Sequence, residues 1–416
     1  MINVSSEIGK LKRVIVHRPD EGIARVSPKK AEELLFDDIV HLPRMQEEHD
    51  VFTAVLRAFL GEENVLEAEQ LLKEALANDG NSKMTLIDSV IDFEELPPSY
   101  KFLLTKLSDA ELAEVLITGY LEKDDHFLFP PIPNFIFTRD IAVTINDHVI
   151  ITKAAKSARH RENFLTRFIF WAHPIFKTLK NQGRLINLNS VEDFPPSKKG
   201  EAVSIEGGDM MIINKEYFLI GCSERSTGHG VYSLRDKLFE LDVVENVVKI
   251  NIPDDRSCMH IDTIFTQINE HDVVAYQPTV IDGLGSYVEV FHKNGTKKMY
   301  HSVKDFWQAE IDPEVNFILS GNGESPYQER EQWTDGCNLV ALQPGIALTY
   351  DRNPKTEEAF KQSGYTILSA YDFLESHQKG RIDISTIKKT IITLPSNELS
   401  RARGGSHCMT CPIERE

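Results

Sequence analysis

The stretch DIAVTINDHVIITK, residues 140–153, places two short runs of apolar and β-branched residues on either side of an Asn-Asp turn. This pattern predicts a β-hairpin. Three later segments repeat it: DMMIINKEYFLIG (209–221), DTIFTQINEHDVVAYQP (262–278) and NLVALQPGIALTYDRN (338–353). Their first residues are 69, 53 and 76 positions apart, which leaves room for a helix and another strand after each hairpin. The sequence therefore predicts an α/β fold made of repeated modules, with unrelated hairpins of an ordinary α/β enzyme as the alternative.

Helical patterns occupy the intervals. Residues 157–183 carry apolar side chains at helical spacing and end at Gly183. Residues 64–126 are rich in Leu, Glu and Ala, with Ser108 as a predicted N-cap. This block predicts a helical bundle inserted between the strand KRVIVHRP (12–19) and the first hairpin, within a single domain spanning residues 1–416.

Charge and cysteine content limit the class of protein. The 416 residues carry a formal net charge of −18, which disfavours nucleic acid and anionic membrane as partners and favours a small cationic substrate. The sequence shows no signal peptide and no apolar run long enough to cross a bilayer. Five cysteines in so long a chain indicate free thiols in a reducing compartment. We therefore expect a soluble cytoplasmic protein.

The segment SRARGGSHCMTCPIERE, residues 400–416, contains a candidate nucleophile. Cys408 follows two glycines, and the neighbouring cations His407 and Arg403 are expected to lower the pKa of its thiol. Two alternatives stay open at this point. Cys408 and Cys411 form a C-x-x-C motif that suits redox or zinc chemistry, although no second pair completes a metal site. The second alternative is that the segment is a structural tail with no chemical role.

Acidic residues recur where the predicted hairpins begin. They are Asp140, Glu206 and Asp209 of EGGD, and Asp262 of MHIDT, which also supplies His260. Carboxylates that converge beside a Cys and a His suit a planar cation such as guanidinium, whose N–H groups match carboxylates two bonds at a time. The alternative for each acidic residue taken alone is a capping or ion-pairing role.

The motifs FTRD (137–140), EGGD (206–209), MHIDT (259–263) and RARGGSHCMTCPI (401–413), in this order, resemble those of the arginine deiminase family. So does TDGCNLVALQPGIALTYDRN (334–353). The resemblance covers essentially the whole chain. It implies a five-bladed α/β propeller of ββαβ modules about a pseudo-fivefold axis, with an inserted helical bundle. One position departs from the family pattern: Ala402 stands where glycine is expected, which bears on the mobility of the loop.

The resemblance also implies roles for individual residues. Cys408 would attack the guanidinium carbon of L-arginine, and Asp140 and Asp262 would hold the guanidinium nitrogens. His260, oriented by Glu206, would protonate the departing ammonia and then accept a proton from the hydrolytic water, giving citrulline. The implied substrate-binding residues are Arg159, Arg225, Arg403, Asn134, Phe137 and Asp209.

The resemblance implies neither a metal nor an organic cofactor, and we expect a homo-oligomer. Within the same superfamily, an amidinotransferase or a dihydrolase is the alternative activity. A catalytically silent binding protein on the same fold is the alternative from another class.

Overall fold

The computed structural model describes residues 2–36 and 38–416. Its strands are β1 (Leu11–Val16), β2 (Val65–Glu67), β3 (Tyr120–Leu121), β4 (His126–Phe127), β5 (Ala142–Ile145), β6 (His148–Ile151), β7 (Leu185–Asn187), β8 (Met210–Ile212), β9 (Tyr217–Cys222), β10 (Asn246–Asn251), β11 (Phe265–Gln267), β12 (Asp272–Ala275), β13 (Tyr287–His292), β14 (Lys297–Tyr300), β15 (Asn316–Leu319), β16 (Val340–Gln343), β17 (Ile346–Tyr350), β18 (Thr366–Ser369), β19 (Thr390–Leu394) and β20 (Cys411–Arg415).

The α-helices are α1 (Glu21–Ala24), α2 (Leu42–Leu60), α3 (Ala68–Asn78), α4 (Gly80–Phe93), α5 (Ser99–Lys106), α6 (Asp109–Thr118), α7 (His160–Ala172), α8 (Lys177–Asn181), α9 (Gly228–Glu240), α10 (Gln277–Val280), α11 (Val303–Glu310), α12 (Tyr327–Trp333), α13 (Pro354–Gln362) and α14 (Ala370–Gln378). Among the described residues, none of these helices has the length and apolar character needed to span a bilayer.

The four predicted hairpins are confirmed, because β5 and β6, β8 and β9, β11 and β12, and β16 and β17 pair antiparallel. The second strand of each hairpin then pairs in parallel with a later strand, respectively β7, β10, β15 and β19. A parallel pair needs a crossover connection, and helices lie in each of these intervals. The chain is thus an α/β protein with a repeated sheet pattern.

A further sheet repeats the pattern with strands from both ends of the chain. β20 pairs antiparallel with β1, and β1 pairs in parallel with β2 after α1 and α2. Ile15 lies opposite Cys411 in this sheet. The segment that contains Cys408 therefore leads directly into β20, an edge strand of this sheet.

Helices α3 to α6 lie between β2 and β3, within residues 64–126, for which the sequence predicts a helical bundle. Ser108 caps α6 in a full capping box with Glu111, as its position predicts. Residues 65–67 form strand β2 although the helical pattern includes them, because their backbone pairs with β1. The predicted helix over 157–183 is two helices, α7 and α8, since the chain breaks at His173 and Pro174.

Candidate active site

A short 3-10 turn precedes the first strand of three hairpins, at Thr138–Asp140, Gly207–Asp209 and Ile261–Thr263. The two glycines of EGGD allow these turns to pack closely. A Cβ on Gly207 would lie 1.8 Å from the Arg139 carbonyl oxygen, and one on Gly208 would lie 2.4 Å from His260 Nδ1. The turns therefore bring the predicted acidic residues to one place.

Cys408 lies between the glycines of the terminal loop and β20, and it is buried. Its backbone N–H donates to Asn338 Oδ1 at 3.1 Å, and its thiol donates to Asp262 Oδ2 at 3.5 Å. Burial raises the pKa of the thiol well above its ordinary value, and the negative charges of Asp262, Asp140 and Asp335 raise it further.

The expectation that flanking cations lower this pKa is wrong. His407 turns away from the thiol and bonds to two carboxylates, and the guanidinium carbon of Arg403 stacks 3.3 Å from the centre of the Trp333 ring. Burial and three nearby carboxylates outweigh their influence. In this state the thiol is protonated near neutral pH.

His260 is held between two carboxylates. Its Nε2 lies 3.1 Å from Glu206 Oε2, and its Nδ1 lies 3.9 Å from Asp140 Oδ1. Burial alone would lower the pKa of His260, but the charge of Asp140, the hydrogen bond to Glu206 and the charge of Asp209 raise it to about 10. The imidazole is therefore protonated and able to donate a proton.

Glu206 is completely buried among cations. Burial would raise its pKa, but the hydrogen bond from His260 and the charges of Arg159, His260 and Arg225 lower it to about 2. Its second oxygen accepts the Ala155 N–H at 3.1 Å. Glu206 thus stays ionised and fixes the orientation of the His260 ring.

Asp262 presents one carboxylate oxygen for a ligand. Oδ2 lies 2.8 Å from His407 Nδ1, while Oδ1 is buried without a hydrogen-bond partner in the part of the chain that the structure describes. Burial would raise the pKa of Asp262, but His407 lowers it overall. His407 Nε2 lies in turn 3.4 Å from Glu7 Oε2, so a buried chain of contacts supports this carboxylate from behind.

Arg159 is enclosed by carboxylates. Nη1 lies 2.5 Å from Asp140 Oδ2 and 3.6 Å from Glu206 Oε2, and Nη2 lies 2.7 Å from Glu162 Oε2. Arg225 is more loosely held, since its Nη1 lies 3.7 Å from Glu206 Oε2 and its buried Nε has no hydrogen-bond partner among the described residues. Of the two arginines, Arg225 has more donor capacity for a substrate anion.

A narrow cavity, here named the Cys408 cavity, connects these groups. The space that it opens to a water-sized sphere is about 30 Å³. It is lined by Leu35, Asn134, Phe137, Asp140, Arg159, Arg225, Arg256, Met259, His260, Thr263, Asp335, Ala402, Arg403, Gly404 and Cys408. Glu206 and Asp262 lie behind this lining. Glu206 contacts the lining residue His260, and Asp262 contacts the lining residue Cys408.

The remaining predicted residues lie in and around the cavity. Asn134 and Phe137 line it, and a Cβ on Gly404 would come within 2.3 Å of the Phe137 ring, so the terminal loop is closed onto that ring. Asp209 lies outside the lining, where its carboxylate accepts the Ile261 N–H at 3.0 Å and the Ser223 hydroxyl at 2.5 Å. Asp209 thus braces the turn that carries Asp262.

Sequence reasoning missed several contributors. Asn338 joins the Cys408 N–H to the backbone carbonyl of Asp262, to which its Nδ2 donates at 3.1 Å. Asp335 lines the cavity as a buried carboxylate, and burial raises its pKa to about 7 even though Arg403 opposes that rise. Both belong to the segment TDGCN, which resembles the family pattern but carries no further indication of a role for either residue.

The C-x-x-C motif is divided between two environments. Cys408 lines the cavity, whereas the thiol of Cys411 donates to the Ala142 carbonyl at 3.2 Å, between strands β20 and β5 of two different sheets. Burial raises the pKa of Cys411 to about 12. Both cysteines are free thiols.

Ligand atoms of Asp140, Glu206 and His260 lie within 4.8 Å of one another and could face a metal ion. However, the guanidinium groups of Arg159 and Arg225 lie 3.6 and 3.7 Å from the same Glu206 oxygen. This positive charge disfavours a divalent cation at that point.

Comparison with known proteins agrees with the resemblance of the sequence motifs. A family model described as arginine deiminase matches residues 32–415. An arginine deiminase of Limosilactobacillus fermentum is 34% identical, with 100% of this chain and 98% of the relative covered. One of Listeria monocytogenes is 32% identical, with the same coverage of both proteins.

Solved structures match in fold. The N-terminal domain of ArgZ, an arginine dihydrolase of cyanobacteria, has a TM-score of 0.52 at 14% identity and covers 98% of each chain. A DDAH of Pseudomonas aeruginosa complexed with citrulline has a TM-score of 0.51 at 12% identity, covering 97% of this chain and 99% of its own. The amidinotransferase SxtG of Microseira wollei has a TM-score of 0.52 at 12% identity, covering 100% of this chain and 97% of its own.

Proposed function

This chain belongs to the arginine deiminase family, and we propose that it hydrolyses free L-arginine to L-citrulline and ammonia through a covalent intermediate on Cys408. One observation carries the proposal. A buried thiol, a histidine with a raised pKa and several carboxylates lie in or directly behind the lining of one narrow cavity. Such a site selects a planar cation and places its carbon beside a nucleophile.

We propose that the guanidinium group enters between Asp140 and Asp262, with N–H groups directed to the unpaired Oδ1 of Asp262. The incoming positive charge offsets the carboxylates that raise the pKa of Cys408. The thiol, whose Sγ lies 3.5 Å from Asp262 Oδ2, then loses its proton to solvent, so that Asp262 stays ionised and continues to hold the guanidinium. In this scheme the substrate itself activates the nucleophile.

The thiolate attacks the guanidinium carbon and forms a C–S bond. His260 donates its proton to one terminal nitrogen, the C–N bond breaks, and ammonia leaves. The pKa of about 10 supports this donor role, because His260 is protonated at neutral pH. The product of this half-reaction is a thiouronium cation on Cys408.

Neutral His260 then accepts a proton from water, and the hydroxide attacks the same carbon. The C–S bond breaks, the proton of the added hydroxyl group passes to the departing sulfur, and citrulline and the thiol are formed. Together the two half-reactions consume one arginine cation and one water and release one citrulline and one ammonia, which takes up the remaining proton as ammonium. Glu206 keeps the ring of His260 in one orientation through both of them.

The α-carboxylate of the substrate is assigned to Arg225, which has an unused buried Nε. Arg159 serves first to hold Asp140, and its contact with the carboxylate stays a prediction, as do the substrate contacts of Asn134 and Phe137. The cavity is too narrow for arginine with the loop closed. We infer that the loop around Arg403 moves outward to admit the substrate.

We further propose that the repeated sheets are the blades of a five-bladed α/β propeller about a pseudo-fivefold axis. Residues 1–416 would then form one catalytic domain, into which the helical bundle of residues 64–126 is inserted. The identical strand pattern of the sheets supports this arrangement. We also expect a cytoplasmic homo-oligomer. The five free thiols support a reducing compartment, and sedimentation tests the assembly.

Product analysis tests the activity. The purified protein is incubated with L-arginine, and we expect citrulline and ammonia in a ratio of one to one. Ornithine with additional ammonia would indicate a dihydrolase, and transfer of the amidino group to an added amine would indicate an amidinotransferase. A folded protein that leaves arginine unchanged would refute the proposal in favour of a binding protein.

A further inference from the structure

A second cavity lies far from Cys408 in the fold, where α4 and α7 meet the edge strand β7. Its volume is about 510 Å³, which is within the range of pockets that hold small organic ligands. It is lined by Ser82, Thr85, Leu86, Ser89, Ile151, Phe164, Arg167, Phe168, Trp171, Leu185 and Asn187. We name it the helical cavity.

Arg167 is the charged residue of this lining, and no carboxylate belongs to the lining residues. Its Nε is buried without a hydrogen-bond partner in the described chain, and its guanidinium carbon lies 5.0 Å from the centre of the Phe164 ring. Burial lowers the pKa of Arg167. A partly buried cation without an anion is costly, so this position is suited to an anionic ligand.

The same helix provides a comparison. Arg161 and Arg159 lie at the start of α7 and directly before it, and each pairs with a glutamate, Glu94 and Glu162 respectively. Among the residues that the structure describes, no carboxylate forms an ion pair with Arg167, in a chain with a net charge of −18. Its unpaired state is therefore not explained by a shortage of acidic residues.

The rest of the cavity is suited to an apolar body. Phe168 is buried, while the indole of Trp171 is half exposed and forms a wall at the opening. Lys180 Nζ lies 3.9 Å from the centre of the Trp171 ring and adds a second positive charge at the rim. Aromatic walls beside two cations attract an anion that carries its own apolar group.

We propose that the helical cavity binds a small organic anion, whose carboxylate or sulfonate pairs with Arg167 and whose aromatic or branched body packs on Phe168 and Trp171. A polyanion is disfavoured, because the chain as a whole carries a net charge of −18. The size of the cavity also limits the ligand to a small molecule.

The test uses 8-anilinonaphthalene-1-sulfonate with the full chain. We expect a saturable fluorescence increase, together with energy transfer from tryptophan that Trp171→Phe reduces, since two of the three tryptophans remain. Arg167→Met should weaken binding by about 10- to 100-fold, the value of a charge-assisted hydrogen bond. Arg167→Lys should lose less, and Arg44→Met, which removes an exposed arginine of α2, should bind as the parent does.

A neutral analogue, N-phenyl-1-naphthylamine, separates charge recognition from apolar packing. We expect Arg167→Met to bind it as the unaltered protein does. Unchanged sulfonate binding in Arg167→Met, or an equal loss for both probes, would overturn the proposal. Sedimentation in which Arg167→Met dissociates an oligomer, with the sulfonate bound to the dissociated form alone, would also overturn it by assigning the cavity to a second copy of the chain.

Discussion

Replacement of Arg225 by alanine tests how the enzyme recognises the α-carboxylate of its substrate. Arg225 is 2% exposed, and its Nε has no hydrogen-bond partner in the described residues, although Glu224 Oε1 lies 3.9 Å away. Two charge-assisted hydrogen bonds to a carboxylate contribute about 3 to 6 kcal/mol together, which corresponds to roughly 10² to 10⁴ in kcat/KM. Agmatine has the same guanidinium without the carboxylate, so the unaltered enzyme should disfavour it by this factor.

The assay compares kcat/KM for L-arginine and agmatine, measured by ammonia release, in the parent and in Arg225→Ala. Removal of Arg225 also weakens the field around Glu206, which should slow both substrates alike. The ratio of the two constants is therefore the informative quantity, and it should fall toward one. Arg235→Ala, which removes an arginine of helix α9 outside the lining of the Cys408 cavity, should leave the ratio unchanged. Equal rates for both substrates in the parent enzyme would refute the assignment of Arg225.

Four further predictions concern the catalytic centre. Cys408→Ser should abolish turnover in a folded protein, and the adduct trapped when the parent enzyme is acid-quenched during turnover should lie on Cys408; an adduct on Cys411 would contradict the assignment. His407→Leu, which leaves Asp262 Oδ2 without its imidazole partner, should lower kcat/KM by about 10- to 100-fold, whereas His407→Asn should recover most of that loss. Glu206→Gln removes a charge that raises the pKa of His260, so the alkaline fall in kcat/KM, expected near pH 10 in the parent, should move to lower pH. Chelation should leave activity unchanged, and one equivalent of tightly bound zinc by elemental analysis would contradict the metal-free proposal.

The strand pairs that could be predicted are those that are local in sequence. In the hairpin from Asp140, apolar runs and turn are contiguous, so the pattern contains the whole unit. The sheet of β1, β2 and β20 could not be predicted this way, because Ile15 and Cys411 pair from opposite ends of the chain. Strand β2 was hidden for a related reason, since a three-residue strand beside a helix has no period of its own.

The sequence predicted which residues come together better than it predicted their pKa shifts. Residue type and position identified Asp140, Glu206 and Asp262, because each lies at or just before a turn that opens a hairpin. Because His407 is next to Cys408 in the sequence, the pKa of the thiol was predicted to be lowered. This was wrong, since the loop directs the His407 ring toward Asp262 rather than toward the thiol. The burial of a single residue cannot be read from its sequence position, yet burial is the largest influence on the pKa of this thiol.

The raised pKa of Cys408 has a consequence for how the enzyme couples recognition to reactivity. Asp262 and Asp140, which suit a guanidinium cation, also disfavour a thiolate while the site holds no cation. In the proposed mechanism, a cationic substrate relieves this repulsion and so creates its own nucleophile, whereas neutral citrulline brings no charge. After hydrolysis the carboxylates would again favour the protonated thiol, and they would have no cation to hold. On this proposal the same charges select the substrate, keep the thiol unreactive between turnovers, and favour release of the product.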